Sequence, residues 1–475
     1  MNNNTKAIAK LKKKYSKWPP KRRFKDFKSI ILSYLPAFLV VWILKKFLIK
    51  SDYRLKREST SYFQRANEAY GAHRQGHSAH LTRVAFKLLG NAFPKAYARL
   101  IIVATNQTQR DASRRSALSS EILTATKVLE IEITDATGWY QLSRGLFSVG
   151  YFRAAWVARE NSVELSIREG ELAGASATAV SRAIQAHLER RNFSEVEALF
   201  AKASGQIKLS RLREICEYLD MMQNKYVMPP LDPNSPSFEV EKLFSQLISG
   251  KSVALVGPGS PSGLYGNEID STDTVVRVKY VGREHLPPQE FHGHRCDINY
   301  LGNSEFEALF LSSTIDELLK IYDDLKLMLS YGVKSVDSEP FLTFYMPTTG
   351  WLYRTTSHSG IRTLFTIIRF GALQIKKFGI DYYVNKSEYS KENLDFLNSS
   401  AHKLGHEPNT QGMMRESSSL FRCIGFSRHD PVSNFCFAQN LYKAGLFDIE
   451  PYGKSILELT PYQYVERLEE MLGDW

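Results

Sequence analysis

Four closely spaced glycines follow a short apolar stretch near the middle of the chain. Residues 253–256 are rich in β-branched side chains and stop at Gly257, and three more glycines follow within the next nine residues. This pattern predicts a buried strand that enters a glycine-rich turn, where the backbone can approach a ligand without a Cβ atom in the way. A second apolar stretch, residues 274–278, contains the cation Arg277. A strand, a glycine-rich loop and a return strand together predict a nucleotide site.

A dinucleotide-binding loop is the first alternative for this stretch. Gly257, Gly259 and Gly263 approximate the glycine spacing of such a loop, but the spacing is one residue too long. Pro258 stiffens the turn, and the second strand ends in Arg-Val-Lys with no acidic residue to bind a ribose. A nicotinamide site is therefore disfavoured.

A second turn combines small polar residues with the start of a helix. Ser357, His358, Ser359 and Gly360 precede an apolar stretch at 361–370 whose spacing is helical rather than strand-like. The free N–H groups at a helix amino terminus can receive an anion or the edge of a base. This turn is therefore a second candidate binding element.

The two stretches resemble the large and small sialylmotifs of glycosyltransferase family 29, the sialyltransferases. The large motif reads as an apolar strand, Val-Gly, a Gly/Ser loop, Ile-Asp-Ser and Val-x-Arg, which correspond here to 256–257, 269–271 and 275–277. The small motif opens a helix with a Ser-Gly turn and continues into a strand, as at 359–360. The Pro-Thr-Thr-Gly at 347–350 is an alternative turn, but no helix and strand of suitable length follow it directly.

The resemblance implies a Rossmann-like α/β domain that takes a CMP-sugar as donor. In the family, the small-motif turn touches the cytidine end and the carboxylate of the sugar. The residues that the resemblance assigns to donor binding lie in the two turns and at the end of the second strand: Gly257, Pro258, Gly259, Ser260, Arg277, Lys279, His358, Ser359 and Gly360. Either of the two cations would offset the phosphate charge.

Transfer of a sugar to a hydroxyl with inversion needs a base, and histidine suits that role at neutral pH. His429, followed directly by Asp430, lies where the very small motif of the family, His-x-x-x-x-Glu, is expected. His402, with Glu407 five residues on, fits the bare spacing better, and His406 is a third candidate. His429 is preferred because His402 lies close to the small motif and among loop residues.

Three positions depart from the family pattern. Pro258 and Lys279 stand where the family has asparagine, and Asn434 stands where the very small motif has glutamate. The four cysteines lie outside the large and the small motif, so the disulfide that joins these motifs in the animal members has no counterpart. A reducing compartment is compatible with this usage. The chain is thus either a divergent member with its own donor contacts or a retired enzyme.

No metal or cofactor is expected. The chain contains no Asp-x-Asp pair of the kind that carries a divalent ion on a sugar-nucleotide diphosphate, and the family transfers from CMP-sugars without that ion. The histidine groupings at 73–80 and 292–296 lack a complete set of metal ligands.

A different kind of sequence precedes this domain. Residues 51–226 show helical periodicity and predict an all-α region. Residues 142–155 imitate a tetratricopeptide hairpin and 183–198 repeat the pattern; a plain helical bundle is the alternative. Four prolines in the linker 227–237 exclude a helix there, so the sialyltransferase-like α/β domain is expected at 238–475.

Within that domain the patterns predict individual elements. Strands are expected at 252–256, 274–279 and near 297–300, and a long helix is expected at 314–331. Thr460, Pro461 and Gln463 predict a capping box that opens the last helix.

The positive charge of the chain is concentrated at its amino terminus. Residues 1–57 hold seventeen Lys and Arg against two Asp, while the whole chain has a formal charge of +12, so the remainder is slightly acidic and a nucleic-acid-binding body is disfavoured. Residues 1–28 are basic, and 29–50 are predicted as a hydrophobic membrane-anchor helix. Its uncharged part, 30–44, would span roughly 22 Å against ~30 Å of hydrocarbon. A membrane span, an in-plane anchor and a buried helix therefore all remain open.

Together these features predict a membrane-associated glycosyltransferase that moves sialic acid or a related keto sugar acid from CMP to a hydroxyl of a glycan or glycolipid. The alternative is a non-catalytic, membrane-bound helical-repeat scaffold with a degenerate transferase domain. A helical-repeat module would hold a protein partner or orient the next domain, whereas a plain helical bundle would do neither; nucleic acid is not an expected partner. The cytoplasmic face of a bacterial inner membrane is the preferred location, with a single-pass type II Golgi protein as the alternative.

Overall fold

A computed structural model describes most of the second half of the chain and the helices before it. The described residues are 84, 115–128, 135–148, 150–203, 209–235, 238–259, 262–301, 325–330, 351–380, 382–384, 390–392, 395 and 429–473. The basic segment 1–28, the predicted anchor 29–50 and the histidines at 73–80 lie outside them. Among the described helices, none has the length and apolar character needed to cross a membrane.

The first described part is helical. Its helices are α1 (Arg115–Val128), α2 (Ala136–Ser148), α3 (Phe152–Glu171), α4 (Ala177–Glu189), α5 (Phe193–Ala203) and α6 (Leu209–Met222). Helix α3 packs against α1, α2 and α4. Small residues allow the close approach of α3 and α4, since a Cβ atom at Gly170 would collide with Ala183 and with the backbone oxygen of Ala179. A tetratricopeptide-like repeat stays a prediction.

The second described part combines parallel strands with helices. Its elements are α7 (Phe238–Ile248), β1 (Ser252–Val256), α8 (Gly266–Ser271), β2 (Thr274–Val278), a 3-10 turn (Arg283–His285), α9 (Gln289–His292), β3 (Ile298–Leu301), β4 (Leu327–Ser330), α10 (Ser359–Arg369), β5 (Gln374–Phe378), α11 (Pro431–Lys443), β6 (Asp448–Ile449), α12 (Pro451–Leu457) and α13 (Pro461–Gly473). The predicted α/β class is thus confirmed in its coarse form, as a helical part followed by a parallel sheet.

The described strands form one sheet in the order β4-β3-β2-β1-β5-β6, and every pairing is parallel. The central strand β1 is buried along 253–256, as expected for a parallel strand covered on both faces. After β1 the chain adds strands on one side as far as β4, and then adds β5 and β6 on the other. The connection after β1 therefore runs to one side of the sheet, and the connection after β5 runs to the other. In an open parallel sheet, ligands usually bind in the crevice between two such connections, at the carboxyl ends of the strands.

Most of the predicted strands are present, and one prediction is wrong. Strands β1, β2 and β3 lie within one residue of their expected bounds. The helix predicted at 314–331 is wrong at its carboxyl end, because residues 327–330 form strand β4. Leu327 pairs with Ile298 of β3. A short apolar stretch fits a helix or a strand equally well, and here the pairing with β3 decides.

The last helix begins with the predicted capping box. The Gln463 backbone N–H donates to Thr460 Oγ1 at 3.2 Å, and the Thr460 N–H donates to Gln463 Oε1 at 2.9 Å. These two bonds satisfy backbone groups that a helix end leaves unpaired.

The helical part and the sheet share one apolar core. Tyr218 of α6 stacks on Phe437 of α11, with ring centroids 4.9 Å apart. At the same boundary Arg153 of α3 donates to Glu469 of α13, from its backbone N–H at 2.8 Å and from Nε at 2.9 Å. The two parts are therefore packed together through both apolar and ionic contacts.

Strand β5 carries a lysine in the core. Lys377 is fully buried, and its ammonium donates to the hydroxyl of Tyr382 at 2.5 Å. The rings of Tyr382 and Phe447 flank the ammonium, at 4.7 and 4.9 Å from their centroids. Burial lowers the pKa of Lys377 from its usual 10.5 to about 7. The aromatic rings compensate only part of the cost of burying the charge.

We expect Lys377→Met to stabilise the protein, and to do so most at low pH. Between about pH 7 and 10.5, Lys377 is protonated in the unfolded chain but largely neutral in the folded protein, because its folded-state pKa is depressed. The free energy of unfolding of the native protein therefore rises with pH in this window. The gain at pH 6 is ~2–4 kcal/mol after the lost bond to Tyr382 is subtracted, and it shrinks towards pH 10. Urea unfolding at several pH values measures it.

The neighbouring residue provides the control for this substitution. Lys376 lies on the opposite face of the same strand and forms an ion pair with Glu268 at 2.5 Å. Lys376→Met should change stability by less than about 1 kcal/mol, with no trend in pH. An equal effect of both substitutions, or a gain for Lys377→Met that does not vary with pH, would contradict the assignment of a depressed pKa.

Candidate active site

The glycine-rich loop joins the ends of β1 and β5. The Gly257 N–H donates to the Phe378 carbonyl at 2.8 Å, and the Gly259 N–H donates to the Gly379 carbonyl at 3.2 Å. A Cβ atom at position 257 would collide with the Gly379 oxygen and with Cγ1 of Ile380. Glycine is therefore required at 257 by the neighbouring strand end.

A buried glutamate holds this loop from the other side. Glu450 follows β6 and is 3% exposed. Its Oε1 accepts from the Gly379 N–H at 2.6 Å, and its Oε2 accepts from the N–H and the hydroxyl of Ser262, both at 2.8 Å. No local pattern predicts this role, because Glu450 lies 188 residues from Ser262. Ser260, which was assigned to donor binding, lies outside the described residues.

The side chain of Arg277 is buried beneath the glycine-rich loop and is hydrogen-bonded to the segment around His292. It is 2% exposed, and its guanidinium donates to the carbonyls of Arg295, His292 and Gly293 at 2.8–2.9 Å and to Nδ1 of His292 at 2.9 Å. Since His292 Nδ1 accepts, its Nε2 carries the hydrogen that is donated to the Gly259 carbonyl at 3.0 Å. Burial, with the help of Arg277, lowers the pKa of His292 to about 3. The neutral His292 thus links Arg277 to the glycine-rich loop.

Lys279 stands at the end of β2 in an unusual backbone conformation. Its φ angle is +63°, in the left-handed region that few residues other than glycine and asparagine adopt. Its N–H donates to the Tyr300 carbonyl at 2.6 Å. Lys279 shares the lining of a small cavity with Gly257, Pro258 and Arg277. The cavity measures about 10 Å³, which is just enough for one water molecule and too small for a nucleotide.

The Ser-His-Ser-Gly turn opens helix α10 at Ser359, as its pattern predicted. The His358 N–H donates to Asn434 Oδ1 at 2.8 Å, and Asn434 Nδ2 donates to the Asp430 carbonyl at 2.9 Å. A Cβ atom at Gly360 would lie 3.3 Å from Cδ1 of Ile380. The side chain of Ile380 therefore separates the Gly360 turn from Gly257, and the two predicted binding elements are neighbours.

His358 lies between a tyrosine and a second histidine. Its Nδ1 shares a hydrogen bond of 2.5 Å with the hydroxyl of Tyr383, and its ring centroid is 4.7 Å from that of His429. Burial lowers the pKa of His358 well below its usual range, and the charges of His429, Lys279 and Arg362 lower it further. His358 is therefore neutral at physiological pH. Its Nε2 is buried and has no hydrogen-bond partner among the described residues.

Thr356 contacts the imidazole of His429 through two of its atoms. Its Nδ1 lies 3.1 Å from the Thr356 carbonyl and 3.1 Å from the Thr356 hydroxyl. A carbonyl only accepts, so this contact assigns the hydrogen to Nδ1 and leaves Nε2 as the basic nitrogen. The ring is half-buried. Asp430 follows directly and caps α11.

The sequence-predicted residues are thus only partly brought together. Gly257, Pro258 and Lys279 line one cavity. Ile380 connects Gly257 to the turn at Gly360, and the ring of His358 in that turn packs against His429. The alternative bases at 402 and 406 lie outside the described residues. Residues that sequence reasoning did not assign to the site are Ile380, Tyr383, His292, Asn434 and Glu450.

Tyr383 could not have been found from local pattern. Both Tyr382 and Tyr383 have positive φ angles, +53° and +69°, and neither is a residue type that usually adopts them. Strained backbone of this kind collects at functional sites. Asn434 did carry a signal, because it occupies the last position of the very small motif.

Within the described residues, no group of His, Cys, Asp and Glu is arranged to hold a metal ion. No protein-family model matches the chain, and no curated protein matches it significantly.

Proposed function

We propose that this chain is a glycosyltransferase that moves an acidic sugar, such as sialic acid, from a CMP-sugar to an acceptor hydroxyl with inversion. The observation that carries the proposal is the meeting of three distant segments: the loop at Gly257, the turn at Gly360 and the imidazole of His429. They lie near the point where the strand order reverses in the parallel sheet. The sialylmotif resemblance named the same three segments.

In the proposed reaction the basic Nε2 of His429 removes the proton from the acceptor hydroxyl as the new glycosidic bond forms. The Thr356 carbonyl holds the proton on Nδ1 throughout, so the same nitrogen faces each new acceptor. The transition state carries oxocarbenium character, as glycosyl transfer generally does. CMP leaves as the phosphate-to-sugar bond breaks, and no metal ion is needed for a single phosphate.

Lys279 supplies the positive charge nearest the proposed donor site. It is close enough to His358 for its charge to lower the pKa of that histidine. Its left-handed backbone also suits the asparagine that the family has at this position, which supports the alignment of the large motif. Arg277 then stabilises the loop from below and acts on the donor only through it.

The test is the release of CMP. Purified full-length protein with CMP-sialic acid and a mixture of glycan acceptors should liberate CMP, and a thermal-shift panel should show stabilisation by CMP above that by UDP or NAD. Stabilisation by NAD alone would end the proposal. Absence of both CMP release and CMP binding would favour the alternative, a membrane-bound scaffold with a retired transferase domain. The departures from the family pattern at Pro258 and Lys279 are the reason for keeping this alternative.

A further inference from the structure

A buried arginine of the helical part reaches the segment that carries His429. The guanidinium of Arg159, in the middle of α3, is completely buried. Its Nε donates to Oδ2 of Asp430 at 2.6 Å, and its Nη2 donates to Oε2 of Glu189 at 2.6 Å and to the Ser433 hydroxyl at 2.8 Å. The cation also lies over the ring of Tyr353, at 5.4 Å. Such short charge-assisted bonds are strong where water is excluded.

Asp430 connects Arg159 to helix α11, which follows His429. Its Oδ1 accepts from the N–H groups of Val432 and Ser433 at 2.9 and 3.2 Å and so caps α11. Its own N–H donates to the Thr355 hydroxyl at 2.8 Å, next to the threonine that orients His429. Asp430 is therefore fixed by helix α3, by helix α11 and by the segment before the Ser-Gly turn.

We infer that Arg159 is a positioning residue for His429, and that the helical part is a component of the catalytic unit. The role of His429 as base rests on the proposed function; the contacts that place it do not. Without Arg159, the buried Asp430 carboxylate would lose the cation that it binds directly. Burial already raises its pKa, so the carboxyl would take up a proton more readily, and a protonated Asp430 is a weaker helix cap. The imidazole beside it would then lose its fixed distance from Thr356.

A second arginine on the same helix is a matched control. Arg153 lies six residues before Arg159 and also binds a carboxylate of the carboxyl-terminal helices, Glu469 at 2.9 Å. Glu469 belongs to α13 and accepts from the backbone N–H and the Nε of Arg153. Arg153→Gln therefore removes an ion pair across the same boundary without touching the proposed path.

The experiment compares Arg159→Gln with Arg153→Gln in the full-length protein. Histidine-selective ¹⁵N labelling reports the tautomer of His429, whose signal is identified by its loss in His429→Gln, and CMP release gives the kinetics. In Arg159→Gln we expect His429 to populate both tautomers instead of the Nδ1-protonated form alone. We also expect kcat to fall about 10–100-fold, with KM for the donor unchanged. Arg159→Lys, which keeps the charge but not the fork, should restore the signal in part.

Several results would overturn the inference. An unchanged His429 signal in Arg159→Gln would do so, and so would an equal change in Arg153→Gln, because it would mean general loosening of the boundary. If Arg159→Gln does not fold, Asp430→Asn is measured instead, since it keeps the capping oxygen and loses the charge; an unchanged signal there also overturns the inference. A shifted signal in a protein that releases no CMP would support the positioning contact and refute the transferase.

Discussion

Replacing His429 with alanine is expected to lower the rate of CMP-sugar turnover about 10²–10⁴-fold at neutral pH, which is the usual contribution of a positioned general base. The binding of CMP should persist, because in the proposed site the two turns hold the nucleotide and the histidine acts on the acceptor. The fold should also persist, since the ring is only half-buried. Initial rates of CMP release and calorimetric titration with CMP measure the two properties separately.

The pH profile sharpens this expectation. His358 is already neutral at physiological pH because burial depresses its pKa. The acidic limb of the rate profile should therefore follow one histidine, and this limb should vanish in His429→Ala. His285→Ala, at a histidine in the short turn after β2, is the control and should retain full activity. A fully active His429→Ala protein would move the base elsewhere, with His402 and His406 as the next candidates.

Replacing Gly257 with alanine is expected to destabilise the protein by ~2–4 kcal/mol and to abolish CMP binding. The added methyl would meet the Gly379 carbonyl, a backbone atom held by strand β5, as well as Ile380. Relief requires the loop to move away, which breaks the 2.8 Å bond from the Gly257 N–H to Phe378. Chemical unfolding gives the stability, and thermal shift with CMP gives the binding.

A glycine on the opposite side of Ile380 tests the steric argument. At Gly360 the added methyl would meet only the end of that isoleucine side chain, at 3.3 Å, and the chain end can rotate away. Gly360→Ala should therefore cost less than about 1 kcal/mol. Similar losses of stability for the two substitutions would show that the loop at 257 is not packed against β5 as described.

The parts of the fold that follow from local pattern were predictable. The buried run at 253–256 and the capping box at Thr460 depend on neighbours in sequence, and both are present. Strand β4 was not predictable, because residues 327–330 become a strand only through pairing with β3.

The candidate site shows the same division. The glycines and His429 could be assigned because motif and spacing name residue types, but their partners could not. Arg277 was correctly placed at the end of a strand, yet its N–H groups are taken up by carbonyls near His292, a tertiary arrangement without local signal. Glu450 and the positive φ angles of Lys279 and Tyr383 are likewise imposed by segments distant in sequence. Burial and long-range contact therefore determine what the motif alone leaves open.

The ion pair between Arg159 and Asp430 has a consequence for biosynthesis. Its two members are 271 residues apart, so at ~5–20 residues per second a ribosome needs roughly 14–54 s to deliver the carboxylate after the arginine has been made. During that interval the guanidinium of Arg159 can bind Glu189, but its second carboxylate partner, Asp430, has not yet been synthesised. Nascent chains stalled before and after residue 430 should therefore differ sharply in protease resistance across α3.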